Sequence, residues 1–411
     1  MKDNLSKLIA GKKFMLIASL LGLYLLSTGT TWAIFSFLRE EPGASRSVAE
    51  GRGRIDPNLP KTEECLINGK MFSKPERDIW EERRPIAAII ENNLDARPLS
   101  GLSRADVVYE AVAEGGITRF LAVFYCGASA YDMKTAVVRS ARVYYINWAA
   151  EYGNDPIFLH WGGANNICGD CPGGAKPRSQ IDPRADAYGL LNRMGWYGGT
   201  AGNDFNGGHN IGIPAVVREP DRLMTGKRVA EEHKPVAFLD EVFKEAQKRG
   251  FGYKDQEGKV WSESYVAWRF ADDDPLADPR ASRISFEFWT NKPDYDVRWE
   301  YDPSNNQYLR FNGGEPFVDW EFDSQQVAAK NVLVQFVDEL GPVDNEGHML
   351  YTTIGEGNII LFQNGDVITG TWRKRSLNDR TRFFDSSESE IEFVRGEIWI
   401  EAVPEGNKIE Y

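Results

Sequence analysis

Residues 107–125, VVYEAVAEGGITRFLAVFY, decide the fold class. Two runs rich in Val, Ile, Tyr and Phe flank Gly115-Gly116, and a glycine pair between such runs predicts a tight antiparallel hairpin. The pairing is expected to set Tyr109, Ala111, Phe120, Ala122 and Phe124 on one apolar face. The other face would carry Glu110 and Glu114 diagonally about Arg119, among Val108, Val112, Leu121 and Val123. Charges in such company either pair internally or face a ligand. A helical reading of 107–113 stays open.

Upstream, Pro85-Ile86-Ala87-Ala88-Ile89-Ile90 reads as a buried strand. Downstream, the pattern predicts a βαβ unit: a strand over 134–138, a helix over 143–152 with Ser140 as N-cap, and a strand over 156–161. Parallel strands present ligand sites at their carboxyl ends, and helix N-termini attract anions. Arg139, Ser140, Arg142 and His160 fall there and form the expected binding site. Residues 164–215, rich in Gly, Asn and Pro, are expected to be a long loop beside it. A helix is predicted over 235–249, with Val236, Leu239, Val242, Phe243 and Ala246 as its core stripe. From Ser282 the chain alternates in short strands separated by Asp, Asn, Pro and Gly turns. The expected class is α+β: a layered sheet/helix N-terminal domain with a βαβ unit, then a mostly antiparallel β-rich region.

The chain start reports location. Phe14–Leu38 is a run of 25 uncharged residues preceded by Lys2, Lys7, Lys12 and Lys13. About 20 apolar residues suffice to cross a bilayer. The preceding lysines keep the N-terminus in the cytoplasm and place the remainder outside. A cleaved signal at Thr31-Trp32-Ala33 is the alternative, but the apolar run continues past that site. The expected organisation is a cytoplasmic tail 1–13, an anchor 14–38, a spacer 39–80, an N-terminal domain 81–220, a helix-containing connector 221–281 and a β-rich domain 282–404.

The net charge of −13, with no long basic block after residue 14, argues against nucleic acid as a partner. Four cysteines fit an oxidising compartment. Cys168 and Cys171 form a CxxC in a Gly/Pro-rich loop, read as a disulfide, with metal and redox roles as alternatives. Cys65 and Cys126 are left to pair with each other. No GxSxG, HExxH, P-loop or dinucleotide motif is present, and no metal or cofactor site is expected.

Three stretches resemble the YerB-like family of bacterial envelope lipoproteins: RPIAAIIENNLDARPLSGLSRADVVYEAVAEGGITRFLAVF (84–124), VRSARVYYINWAAEYGNDPIFLHWGG (138–163) and the C-terminal 362–404. The resemblance implies an exported α+β fold with two blocks and no assigned reaction. It places the family pattern on Asn92, Arg97, Pro98, Ser100, Asp106, Glu110, Glu114, Arg119, Arg139, Ser140, Arg142, His160, His209 and Asn210. The chain departs from that pattern by lacking a lipobox cysteine, so a helix would replace the lipid anchor.

The functional expectation is a membrane-anchored extracytoplasmic module that binds a cell-wall component or an envelope protein partner. Its ligand residues would be Arg139, Ser140, Arg142, His160, Arg119, Asn92, Arg97, His209 and Asn210. The alternative is a cell-wall polymer hydrolase or transferase using Glu110, Glu114 or Asp106 as acid and base.

Overall fold

A run of five consecutive apolar residues can be buried from both sides only inside a wide sheet, and Ile86–Glu91 (β1) is such a strand, buried along its whole length. In the computed structural model, which describes residues 50–51, 55–167, 169–170, 174–177, 180–199, 202–226 and 228–411, β1 belongs to a ten-stranded mixed sheet. Its other strands are Val107–Glu114 (β2), Ile117–Phe124 (β3), Ile157–His160 (β4), Asp204–Asn206 (β5), Asn331–Val337 (β6), Gly355–Gln363 (β7), Asp366–Lys374 (β8), Arg382–Asp385 (β9) and Ile398–Pro404 (β10). Their spatial order is β5-β4-β1-β3-β2-β10-β6-β7-β8-β9.

The hairpin forms as the glycine pair predicts. Gly115 and Gly116 take φ of +57° and +81°, which a two-residue turn needs and side-chained residues resist. Its register differs from expectation. Glu110 lies opposite Phe120 and Ala111 opposite Arg119, and the pairing then skips Ala113, so Glu114 meets Ile117. A bulge adds one residue to one strand and so reverses which face the next side chain meets. Glu110 and Glu114 therefore sit on opposite faces of the sheet. Glu110 shares the face of Phe120, and Glu114 shares the face of Arg119.

Helix Val143–Ala149 (α2 in chain order, after α1 at Lys74–Trp80) covers the Tyr109 face, with Tyr109 stacked on Trp148 at 5.1 Å. Its N-cap is Arg142, not Ser140, whose hydroxyl donates to the carbonyl of Trp161. The opposite face packs on the five-stranded sheet that contains Arg283–Phe286, Val297–Asp302 and Gln307–Asn312. There Phe120 meets Phe317 and Trp399, and Trp299 meets Trp399.

No βαβ unit connects 134–138 to 156–161. Lys134–Ala136 pairs antiparallel with Pro235–Phe238 in a separate three-stranded sheet, while β4 is parallel to β1. Residues 235–238 are accordingly strand, and the helix (α4) spans Leu239–Lys248. Its apolar stripe is buried as predicted, with Val236 on the strand before it. The stretch 164–215 is not a bare loop: it supplies helix Ala187–Arg193 (α3) and the edge strand β5.

The predicted spacer ends earlier than residue 80. Lys61–Glu64 pairs with Met71–Ser73, α1 follows, and Cys65, Ile67, Phe72 and Trp80 are buried in the main core. A disulfide joins Cys65 to Cys126 just past the end of β3. The β-rich C-terminal strands form where the alternation placed them, but they do not make a separate sheet. Strand β10 inserts between β2 and β6, parallel to both, and residues Arg46–Tyr411 form one compact unit. The expected anchor Phe14–Leu38 and the Cys168/Cys171 bridge lie outside the described residues. Among the described residues no helix is long and apolar enough to cross a membrane.

Candidate functional site

Strands β5, β4, β1 and β2 run the same way, so Asn206, His160, Glu91 and Glu114 all mark one end of the sheet. Arg119, near the start of antiparallel β3, lies at that end too. The segment Val138–Ala141 crosses there: the N–H of Arg139 donates to Ile89, and Ala141 bridges Gly163. Arg139, Ser140, Arg142 and His160 thus fall at the carboxyl ends of parallel strands, although the strands connect differently.

Three arginines meet there. Glu114 accepts from Arg119 and, at 2.6 Å, from Arg142. Arg119 and Arg142 also donate to the carbonyl of Ser140 at 3.1 and 3.3 Å. Arg139 pairs with Glu91 at 3.0 Å, and Glu91 also meets His233 at 2.8 Å. Burial alone would raise the Glu114 carboxyl, but Arg119 and Arg142 outweigh it and hold the group at about 2. Burial, reinforced by Arg142, lowers the Arg119 guanidinium to about 10. The cluster is amphoteric and half-open: Arg139 and Glu114 retain 21% and 26% side-chain exposure.

His160 sits beside this cluster but is fully buried. Its Nε2 is 2.5 Å from Asp204 and its Nδ1 is 2.6 Å from the carbonyl of Gly162, so both ring nitrogens meet acceptors. Asn210 donates to the Asp204 carbonyl and accepts from the Asn206 N–H, fixing the turn after β5. His209 is exposed and stacks on Tyr197. Asn92 and Arg97 are drawn elsewhere. Asn92 donates to Thr118 and Asn312, and Arg97 donates to Asn92 and to the Asp294 carbonyl, joining the Glu110 face.

The three carboxylates considered for acid–base chemistry do not share a cleft. Glu110 is fully buried and bound by Arg310 at 2.5 Å and by Thr118 at 2.6 Å. Asp106 is fully buried beside the Cys65–Cys126 disulfide. Burial pushes its carboxyl up to about 7, against N–H donors from Gly127, Tyr125 and Cys126. Glu114 alone reaches solvent, and it carries two arginines.

The sequence reading missed Glu91, Asp204 and His233, the acids and imidazole that orient the predicted basic residues. It also missed Arg310, although a signal was present: in Gln307–Asn312 the arginine falls in the inward phase with Tyr308 and Asn312. Two cavities in the C-terminal half are lined by none of these residues. The larger, about 890 Å³, is bordered by Trp289, Asp296, Arg298 and Asn407.

Comparison with known proteins matches two blocks of the chain. Residues 73–193 match a family described as "Protein of unknown function (DUF3048) N-terminal domain", and 284–400 match its C-terminal domain. The chain is 29% identical over 324 residues to "Putative lipoprotein YerB" of Bacillus subtilis (strain 168), covering 79% of this chain and 82% of that one. The crystal structure of the YerB protein from Bacillus subtilis superposes with a TM-score of 0.63 at 25% identity, covering 85% of this chain and all of that one. With both family blocks matched in order, and together more than half of its residues, the chain belongs to the YerB-like, DUF3048 family.

Proposed function

We propose that this chain is a non-catalytic binding module held at the outer face of a membrane, where the strand-end cluster of Arg119, Arg139 and Arg142 captures an anionic or glycan envelope component or a partner protein. The carrying observation is the convergence of three guanidinium groups on two carboxylates, Glu114 and Glu91, at the half-open end of the sheet. Such a cluster attracts an anion without needing a nucleophile or a proton relay. The lipoprotein description of the Bacillus subtilis relative supports an extracytoplasmic, membrane-attached setting. The uncharged run 14–38 supports attachment through the N-terminal segment. The hydrolase or transferase reading draws less support, because Glu110 and Asp106 are fully buried and Glu114 is neutralised.

The test is co-sedimentation of the full chain with purified envelope material. Arg139→Ala/Arg142→Ala should weaken binding by about tenfold or more, given the strength of charge-assisted hydrogen bonds. Arg139→Ala alone, at a partly exposed position, should weaken it less while leaving the thermal midpoint in place. Unchanged binding in both variants sinks the assignment.

A further inference from the structure

We propose that a second pocket, ringed by Arg373, Arg375, Arg380 and Arg382, is a binding site for a phosphate-type oxyanion. The pocket has a volume of about 420 Å³ and is completed by Asp379 and Phe384. It forms where β8 turns into β9. Arg373 and Arg382 face each other directly across that strand pair, an arrangement that repels unless an anion lies between or beside the two charges.

The counter-charges are unevenly placed. Arg373 is paired with Glu388 at 2.5 Å and Arg382 with Glu390, and Glu388 is 62% exposed. An exposed pair contributes little and can be exchanged for a better acceptor. Arg375 is exposed and makes no ion pair among the described residues.

Beneath the pocket lies a buried imbalance of charge. The Arg380 side chain is 1% exposed, with its guanidinium carbon 3.5 Å from the centre of the Trp268 ring and 4.5 Å from that of Tyr152. None of its three nitrogens has a hydrogen-bond partner. The carboxylate beside it, Glu151, stands 3.3 Å away and is already bound by Lys374 at 3.0 Å and by Thr381 and Tyr109. Two buried cations therefore share one buried anion. An excess positive charge in an apolar setting favours an anion in the pocket above it.

Three further guanidinium forks at the mouth offer more donors than the two oxygens of a carboxylate can accept, whereas a tetrahedral oxyanion has oxygens for each. The volume lies within the range of small-ligand sites, about 300–1,000 Å³, which leaves room for the group that carries the phosphate. That carrier is either a lipid headgroup or a soluble or polymer-borne phosphate ester.

The experiment titrates the full chain with inorganic phosphate, and with acetate at equal ionic strength, by isothermal calorimetry. Saturable phosphate binding well above acetate is expected. Arg375→Ala/Arg382→Ala, both at solvent-reaching positions, should weaken it about tenfold or more with the thermal midpoint retained. Phosphate binding no stronger than acetate, or equal in the variant, overturns the proposal. A vesicle arm separates the sources. Variant-sensitive preference for phosphatidylglycerol over phosphatidylcholine supports the lipid headgroup, and phosphate binding without that preference supports the soluble or polymer-borne ester. No residue is shared with the strand-end cluster, so failure here leaves that reading standing, and the reverse holds too.

Discussion

Arg310 illustrates how single residues hold this protein together. It is fully buried between Glu110 at 2.5 Å and Glu401 at 2.7 Å, and ringed by Trp299, Trp399 and Phe120. Burial, with Glu110 adding to it, pushes the Glu401 carboxyl up to about 8. Removing the guanidinium leaves the Glu110 and Glu401 carboxyl groups in a closed site without the donor they share, so Arg310→Ala should cost about 3–5 kcal/mol of unfolding free energy, measured by urea denaturation. A loss below about 1 kcal/mol would show that the pair is not the support described here. Glu114 gives a pH signature. Its folded carboxyl is held at about 2 against an ordinary 4.5, so its contribution is full above 4.5 and disappears as pH falls toward 2. Glu114→Gln should flatten the stability curve between those limits, by about 2–3 kcal/mol at most given its partial exposure. Pairing of Glu114 with Arg119 was legible from their place about the turn. The removal of Glu110 to the other face was not, since composition does not mark the residue a ladder will skip.

At the scale of elements, the bulge at Ala113 is what separates Glu110 from Glu114: Glu114 stays opposite Ile117 on the Arg119 face, and the residues before the bulge are turned over. Deleting Ala113 should remove the bulge and leave Val112 opposite Thr118 and Glu114 opposite Ile117, so that Glu114 keeps the face of Arg119. The expected result is that the pH-dependent contribution of Glu114 is retained. Loss of that contribution would show that the bulge itself is needed to seat Glu114 against the arginines. Strand identities were legible from apolar runs and alternation, but partners were not. Lys134–Ala136 has strand character in any setting, and nothing local to it says that it will pair with Pro235–Phe238 rather than lie beside Ile157–His160. Period and propensity report which side chains are buried, whereas the neighbour is chosen by chain segments a hundred residues away. The same reasoning explains the strand-end site: its basic residues were visible, while Glu91, Asp204 and His233 became relevant only once the fold carried them there.

At the scale of the molecule, both family blocks contribute strands to one sheet, with β10 as the seam. Residues 55–281 expressed alone should therefore lack a cooperative thermal transition, because β2 would present an open, apolar edge. Supplying 282–411 in trans should restore the transition. Independent folding of 55–281 would show instead that the seam is dispensable.

The seam also fixes a timetable. Strand β10 follows in sequence every strand it joins, so a ribosome delivers β2 and β6 well before the piece that lies between them. Through that interval two long unpaired edges compete for other partners, including copies of themselves, and chains that pause late in synthesis are the ones most prone to aggregate. The sheet is closed only by β10, and a chaperone that shields the growing chain must hold on until that strand has emerged.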